Sequence, residues 1–215
     1  LIGVTDQGGA QWTYVYDFEG NRISADDPGL GLWTMEYDSN NNLVRQVDAK
    51  GQVIEFTHDA MNRITDKTVN WTDHTGASQS DVITYTYNGS NVGALPGQNL
   101  GKLTMVEGAH NAIRYGYDEM GNVTSEKHNV DIQGGTSGFV FQAEYDFTNQ
   151  YDSSGALRQT TLPINSYGGT RVFDGYRYDT AGRLTGFGNW VQSINYDLRS
   201  NPTTKAFGNG MTETR

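Results

Sequence analysis

A Tyr-Asp dipeptide, or a close variant of it, recurs along the chain. It stands at Tyr16-Asp17, Tyr37-Asp38, His58-Asp59, Tyr87-Asn88, Tyr117-Asp118, Tyr151-Asp152, Tyr178-Asp179 and Tyr196-Asp197. The intervals are 21, 21, 29, 30, 34, 27 and 18 residues, so a fixed core is joined by connections of variable length. A ninth copy, Tyr145-Asp146, lacks the residues that follow elsewhere and reads as strand without the turn.

Apolar residues alternate ahead of each pair. The rows are Trp12, Tyr14, Tyr16; Trp33, Met35, Tyr37; Ile54, Phe56, His58; Ile83, Tyr85, Tyr87; and Ile113, Tyr115, Tyr117. Period two with aromatic and β-branched residues on one face predicts a strand. Tyr14, Tyr16, Tyr85, Tyr87, Tyr115, Tyr117, Tyr176 and Tyr178 are expected in aromatic rows as cross-strand neighbours.

Turn chemistry follows each pair. Three residues after Asp17, Asp38, Asp59, Asn88, Asp118, Asp152 and Asp179 stand Gly20, Asn41, Asn62, Asn91, Gly121, Gly155 and Gly182; after Asp197 only Ser200 departs from the rule. Gly and Asn accept a positive φ, and the Asp carboxylate can bond the amides ahead of it. The pattern predicts a type I turn closed by a left-handed residue, hence one β-hairpin per repeat. An Asn or Arg often comes next, as at Asn21, Asn42, Arg63, Asn122 and Arg183. No sustained 3.6-residue periodicity with helix caps is present, so the fold class is all-β: antiparallel hairpin repeats in one sheet.

These residues resemble the YD repeat of Rhs proteins, which also occurs in Tc-toxin B and C components and in teneurins. Ile113-Arg114-Tyr115-Gly116-Tyr117-Asp118-Glu119-Met120-Gly121-Asn122-Val123-Thr124 and Tyr176-Arg177-Tyr178-Asp179-Thr180-Ala181-Gly182-Arg183-Leu184-Thr185 carry the resemblance most fully. It implies a long curved or spiralling antiparallel sheet, a segment of a hollow shell. In bacterial members the shell encloses a toxic C-terminal domain; in teneurins a related barrel is an adhesion scaffold. Residues 1–215 are then one repeat region of at least eight copies within a longer, secreted or cell-surface polypeptide. Both ends break off inside repeats, so the terminal strands are expected to pair with other parts of that polypeptide or assembly. A β-propeller is the alternative fold, because two 21-residue hairpins make a four-stranded blade; the uneven later intervals count against it.

Composition narrows the chemistry. The 215 residues include no Cys, excluding disulfides, thiolate metal sites and a cysteine nucleophile. A net charge of −10 argues against nucleic-acid binding, which needs Lys and Arg to displace phosphate counterions. No apolar run reaches the roughly 20 residues of a membrane-spanning helix. His58, His74, His110 and His128 are scattered, so no metal site is expected, and no catalytic residue or cofactor is assigned. His58 stands in the repeat Tyr position, and Asp73-His74 reads as loop. Asp26-Asp27-Pro28-Gly29 reads as a turn. Gly93–Gly97 and Gly134–Gly138 read as loops joining hairpins, without the lysine and strand–helix setting of a phosphate loop. Trp12 and Trp33 share the strand phase of the repeat Tyr and are expected to pack on the sheet. Trp71 and Trp190 fall outside that phase and are the candidate contacts for a glycan or partner.

Overall fold

The structure, a computed structural model, describes residues 2–89, 99–134, 139–164 and 169–215. Asn91 and most of the two Gly-rich loops lie outside the described residues. All regular structure among those described is antiparallel strand. Contacts divide the chain into two compact units: residues 1–86 with 106–109, and residues 87–105 with 110–215.

The first unit holds β1 (Gly3–Thr5), β2 (Gln11–Tyr16), β3 (Arg22–Asp27), β4 (Gly31–Tyr37), β5 (Leu43–Val47), β6 (Val53–His58), β7 (Ile64–Thr72) and β8 (Ser78–Tyr87). Each pairs antiparallel with the next in sequence. The second begins with β9 (Leu103–Glu107), β10 (Asn111–Tyr117), β11 (Val123–Gly134), β12 (Phe139–Tyr151), β13 (Leu157–Pro163) and β14 (Thr170–Asp174). Within each unit the strands keep their sequence order across the sheet. A two-stranded sheet follows, β15 (Arg177–Tyr178) with β16 (Leu184–Gly186). The last sheet has three strands, β17 (Val191–Tyr196), β18 (Pro202–Phe207) and β19 (Thr212–Thr214). A propeller would close its sheet after about four strands. Strands β1–β8 alone run twice that length without a break.

Every hairpin that follows a described Tyr-Asp or His-Asp pair has the same defect. Val15 pairs Ser24 and Tyr16 pairs Arg22, so the return strand carries one extra residue, Ile23. The register slips in the same place beside Tyr37, His58, Tyr117, Tyr151, Tyr178 and Tyr196. This is a β-bulge six residues after the Asp, at Val44, Thr65, Thr124, Arg158, Thr185 and Thr203 in those hairpins.

The strand pairing overturns the expected aromatic rows. Tyr14 faces Ala25 and Tyr16 faces Arg22; Tyr115 faces Glu126 and Tyr117 faces Val123. The repeat Tyr all lie on outgoing strands, and a return strand separates one row from the next by about 10 Å in total. Trp12 and Trp33 are half-buried, as expected for that face. Trp12 Nε1 donates to Asp27 Oδ2 at 2.8 Å. Among the described residues, the buried apolar side chains are only Met35, Ala112, Ala143 and Val191. The apolar face is therefore half-covered rather than packed into a core.

Candidate functional site

The repeated side chains converge on the hairpin turns. Within each turn the third residue after the Asp donates its amide to the Asp carbonyl, at 2.9–3.3 Å in the hairpins of Asp17, Asp38, Asp59, Asp118, Asp152, Asp179 and Asp197. That third residue is left-handed in all seven: Gly20 (φ 90), Asn41 (62), Asn62 (61), Gly121 (85), Gly155 (81), Gly182 (77) and Ser200 (66). Ser200 departs from the sequence rule but not from the geometry.

The Asp carboxylate does two jobs. In the Asp17, Asp38, Asp59, Asp118, Asp179 and Asp197 turns, Oδ1 accepts the amide of the fourth residue on, at 2.8–3.1 Å. Oδ2 accepts that residue's side chain, Asn21, Asn42, Arg63, Asn122, Arg183 or Asn201, at 2.7–3.1 Å. This is why Asn or Arg so often follows the left-handed position. Asp152 is the exception: Ala156 has no polar group, and Arg158 Nε takes Oδ2 at 2.8 Å.

Three more turns have this form without a preceding Tyr. Asp6 holds the Ala10 amide, Asp48 the Lys50 and Gln52 amides, and Asp73 the Thr75 and Ala77 amides. Gly9, Gly51 and Gly76 are their left-handed residues. Asp73-His74 is thus a built turn and not an irregular loop. Asp27 similarly accepts the Gly29 and Leu30 amides, at 2.7 and 2.9 Å.

Such bonds hold the Asp59, Asp73 and Asp118 carboxyls below their ordinary pKa. The Thr75 hydroxyl, then the Gln79 amide and the Thr75 and Ala77 amides, bring Asp73 down to about 2. The Arg63 side chain lowers Asp59, and the Asn122 side chain lowers Asp118. A depressed carboxyl stabilises the fold above its unfolded pKa and loses that contribution as pH falls through the folded value. For Asp73 the window runs from 3.8 down to about 2. Denaturation midpoints should fall between pH 4 and 2, and Asp73→Asn should flatten that slope. An unchanged slope in the variant would show that Asp73 carries none of it.

The Tyr hydroxyls bind one hairpin to the previous one. Tyr37, Tyr117, Tyr151, Tyr178 and Tyr196 donate to the carbonyls of Arg22, Leu103, Val123, Leu157 and Leu184, at 2.6–3.1 Å. Arg22, Val123, Leu157 and Leu184 are each the fifth residue after the preceding Asp, next to its bulge. The ladders from β3 to β4, β11 to β12 and β13 to β14 begin only at Ser24, Ser125 and Gln159. The hydroxyl therefore serves a carbonyl lying beyond the ladder. Burial pushes the Tyr117, Tyr151 and Tyr178 hydroxyls up, keeping them protonated as donors at neutral pH.

His58 lacks that hydroxyl. Its Nδ1 is buried with no hydrogen-bond partner. His58→Tyr should place a hydroxyl toward the Leu43 carbonyl and raise stability by about 1 kcal/mol. A lowered melting temperature would contradict that placement.

The candidate contact residues stand apart from this system. Trp71 is half-buried in β7 opposite Gln79. Trp190 is 59% exposed, and its ring centroid lies 6.2 Å from that of Phe173. A cleft of about 160 Å³ on β10–β12 is lined by Arg114, Gly116, Ser125, Lys127, Asp146 and Thr148, among others. Its cations are engaged: Lys127 with Glu144 at 2.7 Å and Arg114 with Asn129 at 2.6 Å. No cluster of metal-ligating residues occurs among the described residues. Nor, among them, is any helix long and apolar enough to cross a membrane.

This is an all-β protein of hairpin repeats bound through paired Tyr and Asp side chains. Residues 37–75 match the RHS Repeat family model. No curated protein matches the sequence. Its fold is similar to that in crystal structures of TcdB2-TccC3 (TM-score 0.70, 15% identity) and TcdB2-TccC3-Cdc42 (TM-score 0.69, 14% identity). Both likenesses cover 99% of this chain and 12% of the solved chain, so this sequence spans about an eighth of their length.

Proposed function

We propose that residues 1–215 are a structural wall segment of an Rhs/Tc-like shell that encloses a toxic C-terminal domain, with no catalysis of its own. The observation that carries this reading is the use of the repeated polar side chains. The Asp carboxylates close turns, and five repeat Tyr hydroxyls join successive hairpins, so these groups are engaged in holding the sheet. The half-covered apolar face fits a wall whose remaining contacts come from other parts of the same polypeptide or assembly. The likeness to TcdB2-TccC3 supports the same reading, which carries with it secretion or display at a cell surface. Limited proteolysis of the whole polypeptide tests it. The domain following the repeats should resist protease until the repeat region is unfolded; digestion of that domain at the same rate as when it is expressed alone would refute enclosure.

A second reading is a glycan- or partner-binding adhesion scaffold, favoured by the exposure of Trp190 beside Phe173. Glycan binding lost in Trp190→Ala or Trp71→Ala would select it over the shell.

A further inference from the structure

We infer that a two-residue clasp decides which neighbouring hairpins are locked together, and that the step from the Asp152 turn to the Asp179 turn is a built-in joint because it lacks one. The clasp donor is the fourth residue after one Asp, and its acceptor is the left-handed third residue after the next Asp. Asn21 Nδ2 donates to Asn41 Oδ1 at 3.0 Å, Asn42 Nδ2 to Asn62 Oδ1 at 2.9 Å, and Arg183 Nη1 to Ser200 Oγ at 3.3 Å. An amide nitrogen carries two hydrogens, so Asn21 and Asn42 serve their own Asp with one and the next turn with the other. Asn41, Asn62 and Ser200 are three of the four described non-glycine residues with positive φ. The side chain at each does what glycine cannot: it accepts a bond from the hairpin before.

Among the described residues, glycine occupies the acceptor position where no such bond forms. Asn122 still serves Asp118, but the next acceptor position is Gly155, where an added Cβ would lie 3.9 Å from the Asn122 amide. At the following step both halves are missing, because the donor position is Ala156 and the acceptor Gly182, with open space where a Cβ would go. That step coincides with the end of the sheet at β14 and the start of β15–β16. It also coincides with a groove of about 750 Å³ lined by Tyr151, Asp152, Arg158, Tyr178 and Asp179 among others. Side chains still cross it: Tyr178 donates to the Leu157 carbonyl at 3.0 Å, and Arg158 Nη1 to the Tyr176 carbonyl at 3.3 Å. The β13–β14 ladder joins these hairpins from Gln159 onward, so at the turn end only these side-chain bonds remain, and an end held by so few opens first.

Hydrogen exchange read by mass spectrometry tests the inference on the chain as it stands. Tyr178→Phe should speed exchange in Leu157–Pro163 and Leu184–Gly186 at least tenfold. Tyr37→Phe, across the Asn21–Asn41 clasp, should speed exchange in Arg22–Asp27 less than threefold. Ala156→Asn combined with Gly182→Asn installs the missing clasp and should slow exchange in Leu157–Pro163 at least threefold. Equal acceleration by the two Tyr→Phe changes would overturn the inference even if the paired Asn variant failed to fold. So would an Asn pair that folds and leaves exchange unchanged.

Discussion

Gly208→Val should disrupt the β17–β19 sheet, at a cost of about 3 kcal/mol. A Cβ at this position would overlap the carbonyl of Asn189, and the Gly208 amide donates to the Trp190 carbonyl at 3.1 Å. Backbone therefore meets backbone, and no flexible side chain can yield. Gly210 is the control. It is left-handed at φ 87 but has nothing within 4 Å of an added Cβ, so Gly210→Ala carries only the backbone penalty of about 1–2 kcal/mol. Urea denaturation followed by Trp fluorescence separates the two. Equal midpoints would mean that the close approach at Asn189 costs nothing, contrary to the geometry.

The second large effect belongs to the left-handed turn residues. Gly121→Val places a β-branched side chain at φ 85, where the backbone term alone is about 1–2 kcal/mol. An added Cβ would also lie 2.6 Å from Lys102 Nζ, which must move aside. Gly182→Val, with nothing nearby, pays the backbone term without that displacement. Ser200→Val should cost less than either, because Ser200 already holds φ 66 and gives up mainly its contact with Arg183. Thermal melts of the three variants check the order; a Ser200→Val loss as large as that of Gly121→Val would contradict it.

What could be read from the sequence is what is decided within one hairpin. Alternation in Trp33-Thr34-Met35-Glu36-Tyr37 is a local property of a strand, and Asp38 with Asn41 is a local property of a turn. The Asp48-to-Gly51 and Asp73-to-Gly76 spacings carry the same signal, hidden because no Tyr precedes them. What could not be read depends on the next hairpin. The bulge six residues after each Asp falls on Ile, Val, Thr or Arg, with no residue type to announce it. Tyr151 is apolar in pattern, yet its hydroxyl serves Val123, 28 positions earlier. The aromatic rows failed for the same reason, since alternation along one strand says nothing about which strand lies beside it. Trp71 and Trp190 stand out in the sequence only by falling out of phase, and phase cannot name a ligand.

These hairpins are proposed to form part of an enclosing wall. Cryo-electron microscopy of the whole polypeptide tests it most directly. Residues 1–215 should appear as consecutive antiparallel hairpins joined edge to edge with further repeats, with the C-terminal domain inside them. A self-closed sheet for these residues, with the C-terminal domain outside and in solvent, would contradict it.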